Sequence, residues 1–182
     1  MTRNFLILLV LIIFPINCIG ADFVPNNMQK IGQGEAYYLG FIKVYNASLY
    51  SSKISGTKDI LNAEFSKCLH LEYEVDIEKN DFIEVANDVL NDQFSKEQLA
   101  SVQSNIETLH QGYRNVTNGD SYTLCYNNKD QVTTLSFNNE IVASVKSADF
   151  AKVYFSIWLA PKDPLDDSLR KDLLGALLNK QS

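Results

Sequence analysis

The residues of this chain best suited to chemistry are tyrosines, and four lie close together at Tyr37, Tyr38, Tyr45 and Tyr50. Alternation along a strand puts Tyr38 and Tyr50 on one face and Tyr37 and Tyr45 on the other, unless Gly40 resets the register. Tyrosines on one face of a sheet, beneath helices, can line an apolar cleft with hydroxyl tips that suits a small amphipathic ligand. The other interpretation is that these rings simply build the core, and the pattern alone leaves both open.

Residues that support metal or nucleophilic chemistry form no recognised arrangement in the sequence. His70 and His110 have no Cys, Asp or Glu at metal-ligand spacing, so we expect no metal and no cofactor. Gly32-Gln-Gly34 is a fragment of a glycine-rich loop, but an aromatic strand follows it where phosphate binding needs a helix N-terminus. His110 is a candidate general base, although a lone helical histidine beside Leu109 is more often a surface or boundary residue.

Composition places the chain among ordinary globular proteins. It has 182 residues, 46% of them hydrophobic and 21% charged, and a net charge of −6 at pH 7. The excess of acidic residues disfavours nucleic acid and anionic membrane surfaces as partners, since both attract a basic face. The sequence therefore predicts no nucleic-acid partner, and it leaves any protein partner unspecified.

The N-terminal segment has the pattern of a secretory signal peptide. Arg3 precedes an apolar run from Phe5 to Phe14, Pro15 ends the run, and Gly20-Ala21 offers small residues for cleavage. The run is too short for a membrane anchor, which needs roughly 20 apolar residues. We expect residues 1–20 to be removed and 21–182 to form a single domain, exported to the periplasm or secreted, without a transmembrane anchor.

Hydrophobic periodicity predicts the strands that position these residues. Alternation over 31–50, with Gly40 as a turn or bulge, indicates a strand pair or one strongly bent strand. Further strands are predicted at 68–75, 121–126, 131–137 and 141–145, and the last three are joined by short turns typical of antiparallel hairpins. Cys68 and Cys125 each fall inside a predicted strand, so they can form a disulfide if those strands are neighbours.

Capping signals predict the helices. Capping boxes begin helices at Asp81-Phe-Ile-Glu84 and Ser95-Lys-Glu-Gln98, Ser147 caps a third, and Asp163-Pro164 begins the last. The second helix carries one continuous apolar stripe, formed by Leu99, Val102, Ile106, Leu109 and Tyr113. This order of elements predicts an α+β protein, with an open-faced antiparallel β-sheet and helices packed on one face.

Several segments resemble the chalcone isomerase-like family, in particular its exported bacterial branch. The segment Phe41-Ile-Lys-Val-Tyr-Asn-Ala-Ser-Leu-Tyr50 is similar to the family's second-strand signature. The remaining matches follow in family order and span nearly all of residues 21–182: Leu69-x-Leu-x-Tyr73, Val116-x-x-Gly119-Asp120, Phe150-x-x-x-Tyr154-Phe-x-Ile-Trp-Leu159 and Leu169-Arg-x-x-Leu-Leu-Gly175. The resemblance implies the family's open-faced sheet with helices on one side.

The family's catalytic residues carry over poorly to this chain. Its enzymes close a chalcone phenol onto an enone with the help of an arginine, which should fall between Gln33 and Tyr38, where there is no Arg or Lys. A threonine position corresponds to Tyr45, an asparagine falls near Asn87, and a last-helix threonine corresponds to about Leu169. Without the cation that stabilises a developing oxyanion, the resemblance predicts no cyclisation. Fatty-acid-binding members of the family also use this arginine, so its absence weakens a fatty-acid ligand as well.

Three hypotheses about function follow from these observations. The first is an exported, non-catalytic protein that binds a small apolar ligand or an envelope partner, with Tyr38, Tyr45 and Asn87 as candidate ligand-binding residues. The second is an intramolecular lyase of the chalcone isomerase type with an altered active site around Tyr45 and Asn87. The third is a purely structural interaction module. A cavity bordered by Tyr45 would favour the first two, and a cation such as Lys43 or Arg114 reaching that cavity would favour the second.

Overall fold

The computed structural model describes residues 26–52 and 60–178. The predicted signal peptide, residues 1–20, lies outside these residues. The described chain forms a six-stranded antiparallel sheet whose strands lie in chain order. The strands are β1 (Gln29–Tyr38), β2 (Ile42–Ser51), β3 (Lys67–Tyr73), β4 (Ser121–Asn127), β5 (Val132–Phe137) and β6 (Glu140–Lys146).

Helices cover one face of this sheet, so the predicted α+β fold with an open-faced antiparallel sheet is confirmed. The helices are α1 (Lys79–Gln93), α2 (Lys96–Ala100), α3 (Gln103–His110), α4 (Ala148–Leu159), α5 (Asp167–Leu173) and α6 (Gly175–Leu178). Ser147 caps α4 as predicted, by accepting a hydrogen bond from the backbone N–H of Phe150. Nine of the twelve residues of α4 are buried, because this helix lies in the core and packs against α1, α3 and α5.

The first two strands form a hairpin with a bulge that the sequence did not reveal. Gly40, with φ +76°, belongs to the turn and does not reset the register. The pairing shifts at two other places, one between Lys30 and Gly32 of β1 and one in β2. At the second, Ala36 pairs with Tyr45 but Tyr37 pairs with Lys43, which leaves Val44 as the extra residue. A bulge of this kind turns two successive side chains toward the same face. Val44 and Tyr45 therefore both lie on the helix-covered side.

The start of α1 differs from the prediction. A capping box beginning at Asp81 is wrong, because Glu78 is the N-cap and Asp81 lies in the first turn of the helix. The side chain of Asn115 accepts a hydrogen bond from the backbone N–H of Lys79 at 3.0 Å. This partner comes from a distant part of the chain, so no local pattern indicates it.

The second predicted helix is divided in two. The capping box at Ser95 and Gln98 is confirmed, with both of its reciprocal hydrogen bonds present. Val102, with φ −122° and ψ 6°, separates α2 from α3, and its N–H bonds to the carbonyl of Leu99 in a tighter turn. The predicted apolar stripe still faces the core, because Leu99, Val102, Ile106 and Leu109 are all buried.

The last helical segment begins later than predicted. Asp163 has φ +50°, and the N–H of Leu165 donates to the carbonyl of Ile157 at 2.7 Å. Residues 163–165 are therefore a turn that is hydrogen-bonded to the end of α4. The N-cap is Asp166, whose carboxylate accepts from the N–H groups of Ser168 and Leu169. The expected start at Asp163-Pro164 is therefore wrong by about one helical turn.

Candidate functional site

A cavity of about 260 Å³ lies between the sheet and the helices that cover it. Its wall is almost entirely apolar and aromatic, with a few hydroxyl tips. It is lined by Ala36, Tyr37, Tyr38, Val44, Tyr45, Leu71, Tyr73, Ile77, Asp81, Phe82, Val85, Ala86, Tyr113, Tyr122, Leu124, Leu135, Tyr154, Ile157, Trp158, Leu165 and Asp166. A largely preformed apolar pocket with a few polar groups is typical of small-molecule sites.

The β2 bulge and α4 face each other across part of the cavity. The bulge lets Val44 and Tyr45 both face inward, and α4 presents Tyr154 and Trp158 from the opposite side. The indole N–H of Trp158 donates to the hydroxyl of Tyr45 at 3.2 Å, which ties the helix to the strand. Lys43, next to the bulge, instead binds Glu35 at 2.7 Å and Glu74 at 2.9 Å.

Another set of polar groups forms a hydrogen-bonded chain that leads out of the cavity. The hydroxyls of Tyr113 and Tyr154 lie 2.8 Å apart, and the Tyr154 hydroxyl lies 3.1 Å from Nε2 of His110. His110 is only half-buried. Either direction of donation along this chain is possible, because each hydroxyl can both donate and accept and the imidazole tautomer can change.

Burial keeps these groups uncharged at neutral pH. Burial raises the pKa of Tyr45 to about 12 and raises the pKa values of Tyr73, Tyr113 and Tyr154 above the ordinary phenol value. Burial also lowers the pKa of His110 to about 4, so its imidazole is neutral. These tyrosine hydroxyls and the imidazole are therefore neutral hydrogen-bonding groups.

Two of the inward-facing hydroxyls have hydrogen-bonding capacity left. Within residues 26–52 and 60–178, no partner is found for the hydroxyl of Tyr73, which lines the cavity. The hydroxyl of Tyr45 accepts from Trp158 and keeps its own proton to donate. A ligand oxygen in the cavity can therefore accept hydrogen bonds from Tyr45 and Tyr73.

None of the described residues that line the cavity is basic. The two charged ones, Asp81 and Asp166, are acidic, and Asp166 is already engaged as the N-cap of α5. Arg114 lies elsewhere, 3.8 Å from Glu140 and over the ring of Phe137. Neither Lys43 nor Arg114 lines the cavity, so the cation that would favour an enzyme is not supplied from the described part of the chain.

The predicted ligand-binding residues are only partly brought together. Tyr38 and Tyr45 line the cavity, the first exposed at its mouth and the second buried in its wall. Asn87 does not line it and is exposed on α1, whereas its neighbour Ala86 faces the cavity. The resemblance placed the asparagine only near Asn87, and a one-residue step on a helix rotates a side chain by about 100°, so Ala86 faces the cavity and Asn87 faces away from it.

The sequence interpretation missed three of the tyrosines that shape the site. Tyr73 lies inside the predicted strand at 68–75, Tyr113 ends the apolar stripe of the second predicted helix, and Tyr154 lies in the helix that Ser147 caps. Tyr73 and Tyr154 are buried and Tyr113 is half-buried, but their mutual approach depends on tertiary packing. The signal that could have indicated them is shared: each is a tyrosine at a core position where an aliphatic residue would fill the space equally well.

Cys68 and Cys125 lie directly opposite each other on β3 and β4 and are joined by a disulfide. Their neighbours in register, Leu69 and Leu124, are buried, and Leu124 lines the cavity. Because side chains alternate along a strand, the disulfide lies on the sheet face away from the cavity. It holds the two central strands together and takes no part in the site itself.

Two further properties of the described residues bear on function. Between 26–52 and 60–178, no group of three or more His, Cys, Asp or Glu side chains is placed to hold a metal ion. In the same ranges, no helix has the length and apolar character needed to cross a membrane.

Comparison with known proteins agrees with this architecture. A family model described as chalcone isomerase-like matches residues 32–175, and the chain therefore belongs to that family. The crystal structure of a fatty-acid binding protein from Arabidopsis thaliana is similar to it, with a TM-score of 0.66, covering 87% of this chain and 93% of that chain. The sequence identity is 16%, so this similarity shows a shared fold. No curated protein matches the chain.

Proposed function

We propose that this protein is a non-catalytic member of the chalcone isomerase-like family that binds a small, neutral, apolar molecule. The observation that carries the proposal is the cavity of about 260 Å³, lined by apolar and aromatic side chains and by neutral tyrosine hydroxyls. A cavity bordered by Tyr45 is what distinguishes a ligand-binding protein from a purely structural module. The hydroxyls of Tyr45 and Tyr73 are positioned to donate to a carbonyl, ether or hydroxyl oxygen.

The size of the cavity limits the ligand. A dry engineered cavity of about 150 Å³ holds benzene, so a volume of 260 Å³ accommodates roughly ten non-hydrogen atoms. A long-chain fatty acid has about twice as many atoms and would extend out of the mouth. The ligand is therefore a molecule of one ring with a short chain, or a medium-length aliphatic chain.

The charge of the cavity wall argues against a carboxylate ligand. The Arabidopsis thaliana neighbour is a fatty-acid binding protein, but the described residues that line the cavity of this chain include no basic side chain and do include Asp81 and Asp166. An ionised group that loses water without gaining a partner of opposite charge costs several kcal/mol. The uncharged alcohol should therefore bind better than the acid of the same length.

Fluorescence of Trp158 tests ligand binding directly, because it is the single tryptophan of the chain and lines the cavity. Titration with n-alcohols of increasing length should show saturable binding that is tightest near n-decanol. The matched control is n-decanoate, which should bind about tenfold more weakly or worse. Equal affinity for alcohol and carboxylate, or no saturable change with any of them, would contradict the proposal.

The absence of catalysis is part of the same proposal. Purified protein should cyclise a chalcone no faster than the uncatalysed reaction, because none of the cavity-lining residues within 26–52 and 60–178 is a cation that could stabilise the developing enolate oxygen. The matched variant combines Tyr45→Thr with Ala36→Arg and restores the residue types that the family's enzymes use. Brisk turnover by the unmodified protein in an absorbance assay would show that another group supplies the charge.

We also propose that the chain is exported, as a member of a bacterial-type exported branch of the family, and acts in the periplasm or outside the cell. The support is the pattern of Arg3, the apolar run and Gly20-Ala21. Protein recovered from cells should begin at Ala21 or Asp22. An intact Met1 or Arg3 in its mass spectrum would rule out cleavage.

A further inference from the structure

The tip of the β1–β2 hairpin, residues 37–42, carries a concentration of exposed apolar side chains. Within residues 26–52 and 60–178, eight large hydrophobic side chains are exposed, and five of them lie in this tip. Phe41 is 72% exposed, Leu39 68% and Tyr38 61%. Single exposed apolar residues are common, but a contiguous patch marks an interaction site.

The backbone of the turn adds an independent observation. Leu39 has φ +52° and Gly40 has φ +76°. The left-handed conformation costs a residue with a side chain about 1 kcal/mol, and turns of this type favour Asn, Asp or Gly there. A leucine is thus held at an exposed position of the turn although a polar residue would be less strained and more soluble. The requirements of the turn do not explain it.

The hairpin tip is also uncharged, and the charges behind it are predominantly acidic. Residues 37–42 contain no charged side chain. Lys43 follows immediately, but it is bound by both Glu35 and Glu74. The chain as a whole carries a net charge of −6. An anionic surface would be repelled, so these charges select an electrically neutral apolar partner.

The hairpin tip borders the mouth of the cavity. Tyr37 and Tyr38 are both exposed in the tip and part of the cavity lining, and Val85 of α1 shares both properties. A molecule that enters or leaves the cavity on this side therefore passes the tip. If the tip lies in an apolar phase, an apolar ligand can move between that phase and the cavity without crossing water.

We propose that the hairpin tip inserts into the surface of a zwitterionic lipid bilayer and so places the mouth of the cavity against lipid. The turn extends about two residues beyond the pair Tyr38–Ile42, which is roughly 7 Å at strand spacing. Interfacial segments insert about 5–10 Å, and tyrosines favour that zone. A stable protein–protein interface uses about 20–30 residues a side, far more than this tip offers. The link to ligand transfer rests on the proposed function, whereas docking itself does not.

Flotation with phosphatidylcholine vesicles tests the docking. The protein should float with the vesicles, and a variant combining Leu39→Asn with Phe41→Ser should bind about tenfold more weakly or worse, because two apolar side chains no longer enter the lipid. Neither residue lines the cavity, and Asn suits the left-handed turn, so the variant should keep its thermal unfolding and its n-decanol titration. Adding an equal share of phosphatidylglycerol should not strengthen binding. The wild type and all variants have the same N-terminus, so a contribution of residues 1–20 to vesicle binding cancels when their affinities are compared.

The matched control is Ile141→Ser, which removes an apolar side chain of similar exposure, 67%, at the opposite edge of the sheet. It should float like the wild type. The proposal is overturned if the wild type does not float, if Ile141→Ser weakens binding as much as the tip variant, or if binding requires phosphatidylglycerol. It is also overturned if light scattering shows a dimer that the tip variant converts to a monomer, because the tip would then cover a second copy.

Discussion

The indole N–H of Trp158 on α4 donates a hydrogen bond to the hydroxyl of Tyr45 on β2, across 3.2 Å. Both side chains are buried in the cavity wall, so this bond fixes the distance between the central helix and the bulged strand. It is a hydrogen bond between two neutral groups. Its loss would leave a buried donor without a partner, which costs more than the bond contributes.

Tyr45→Phe should therefore lower the free energy of unfolding by about 1–2 kcal/mol. The measurement is urea denaturation followed by circular dichroism. Tyr38→Phe is the matched control, because that ring is 61% exposed and its change should stay within about 0.5 kcal/mol. A Tyr45→Phe protein as stable as the wild type would show that the bond does not hold the wall together.

Ala86→Leu should weaken binding of n-decanol about tenfold or more, because the larger side chain extends into the cavity. Asn87→Leu is the matched control. It introduces the same side chain one position further along α1, where residue 87 is exposed. Trp158 fluorescence measures both affinities. If Asn87→Leu weakened binding and Ala86→Leu did not, the orientation of α1 described above would be incorrect.

Stability should fall as the pH is lowered from neutral to about 5.5. Burial holds the pKa of His110 at about 4 against an ordinary value of 6.5, so the unfolded chain takes up the proton first. The loss begins below pH 6.5 and is complete near pH 4. At about pH 5.5 it should reach about 1 kcal/mol, after allowance for the partial exposure of the ring.

His110→Gln is the variant that isolates this effect, and urea denaturation at the two pH values measures it. The dependence should become shallower but not vanish, because burial also lowers the pKa of His70. An unchanged slope in the variant would mean that His110 is protonated in the folded protein. In that case the positive charge of the His110 imidazolium would be hydrogen-bonded to Tyr154, which lines the cavity.

Removal of the disulfide by Cys68→Ala with Cys125→Ala should lower the free energy of unfolding by about 3–4 kcal/mol, since the bridge closes a long loop of sequence separation 57. The wild type after export should show no free thiol when denatured, because Cys18 lies in the predicted signal peptide. Two free thiols would exclude the bridge. A single free thiol would indicate that Cys18 is retained.

The sequence was sufficient for most of the fold because its patterns are local. Alternation predicts the strands at 121–126, 131–137 and 141–145, and the Ser95 capping box predicts the start of α2. The errors occur where a distant partner decides the local structure. Asn115 caps α1 from across the fold, and the return of Leu165 to Ile157 delays α5. No periodic pattern in the sequence predicts either contact.

The site was less predictable than the fold for the same reason. The bulge at Val44 brings Val44 and Tyr45 to one face, which strict alternation would separate. Tyr73, Tyr113 and Tyr154 come from one strand and two helices, and their approach follows from packing. The resemblance to the family singled out Tyr45, which lines the cavity. It also placed an asparagine near Asn87, which is exposed beside the cavity-lining Ala86, since a shared motif does not fix helix rotation.

The location of a bound alcohol decides whether the cavity is a binding site. Intermolecular nuclear Overhauser effects between n-decanol and the protein should connect the alcohol chain to ring protons of Trp158, Tyr154 and Phe82 within the cavity. Ala86→Leu should weaken them at the same alcohol concentration. Contacts limited to Leu39 and Phe41 of the hairpin tip, with none to those three rings, would mean that the alcohol only adsorbs to the surface and that the cavity is not a binding site.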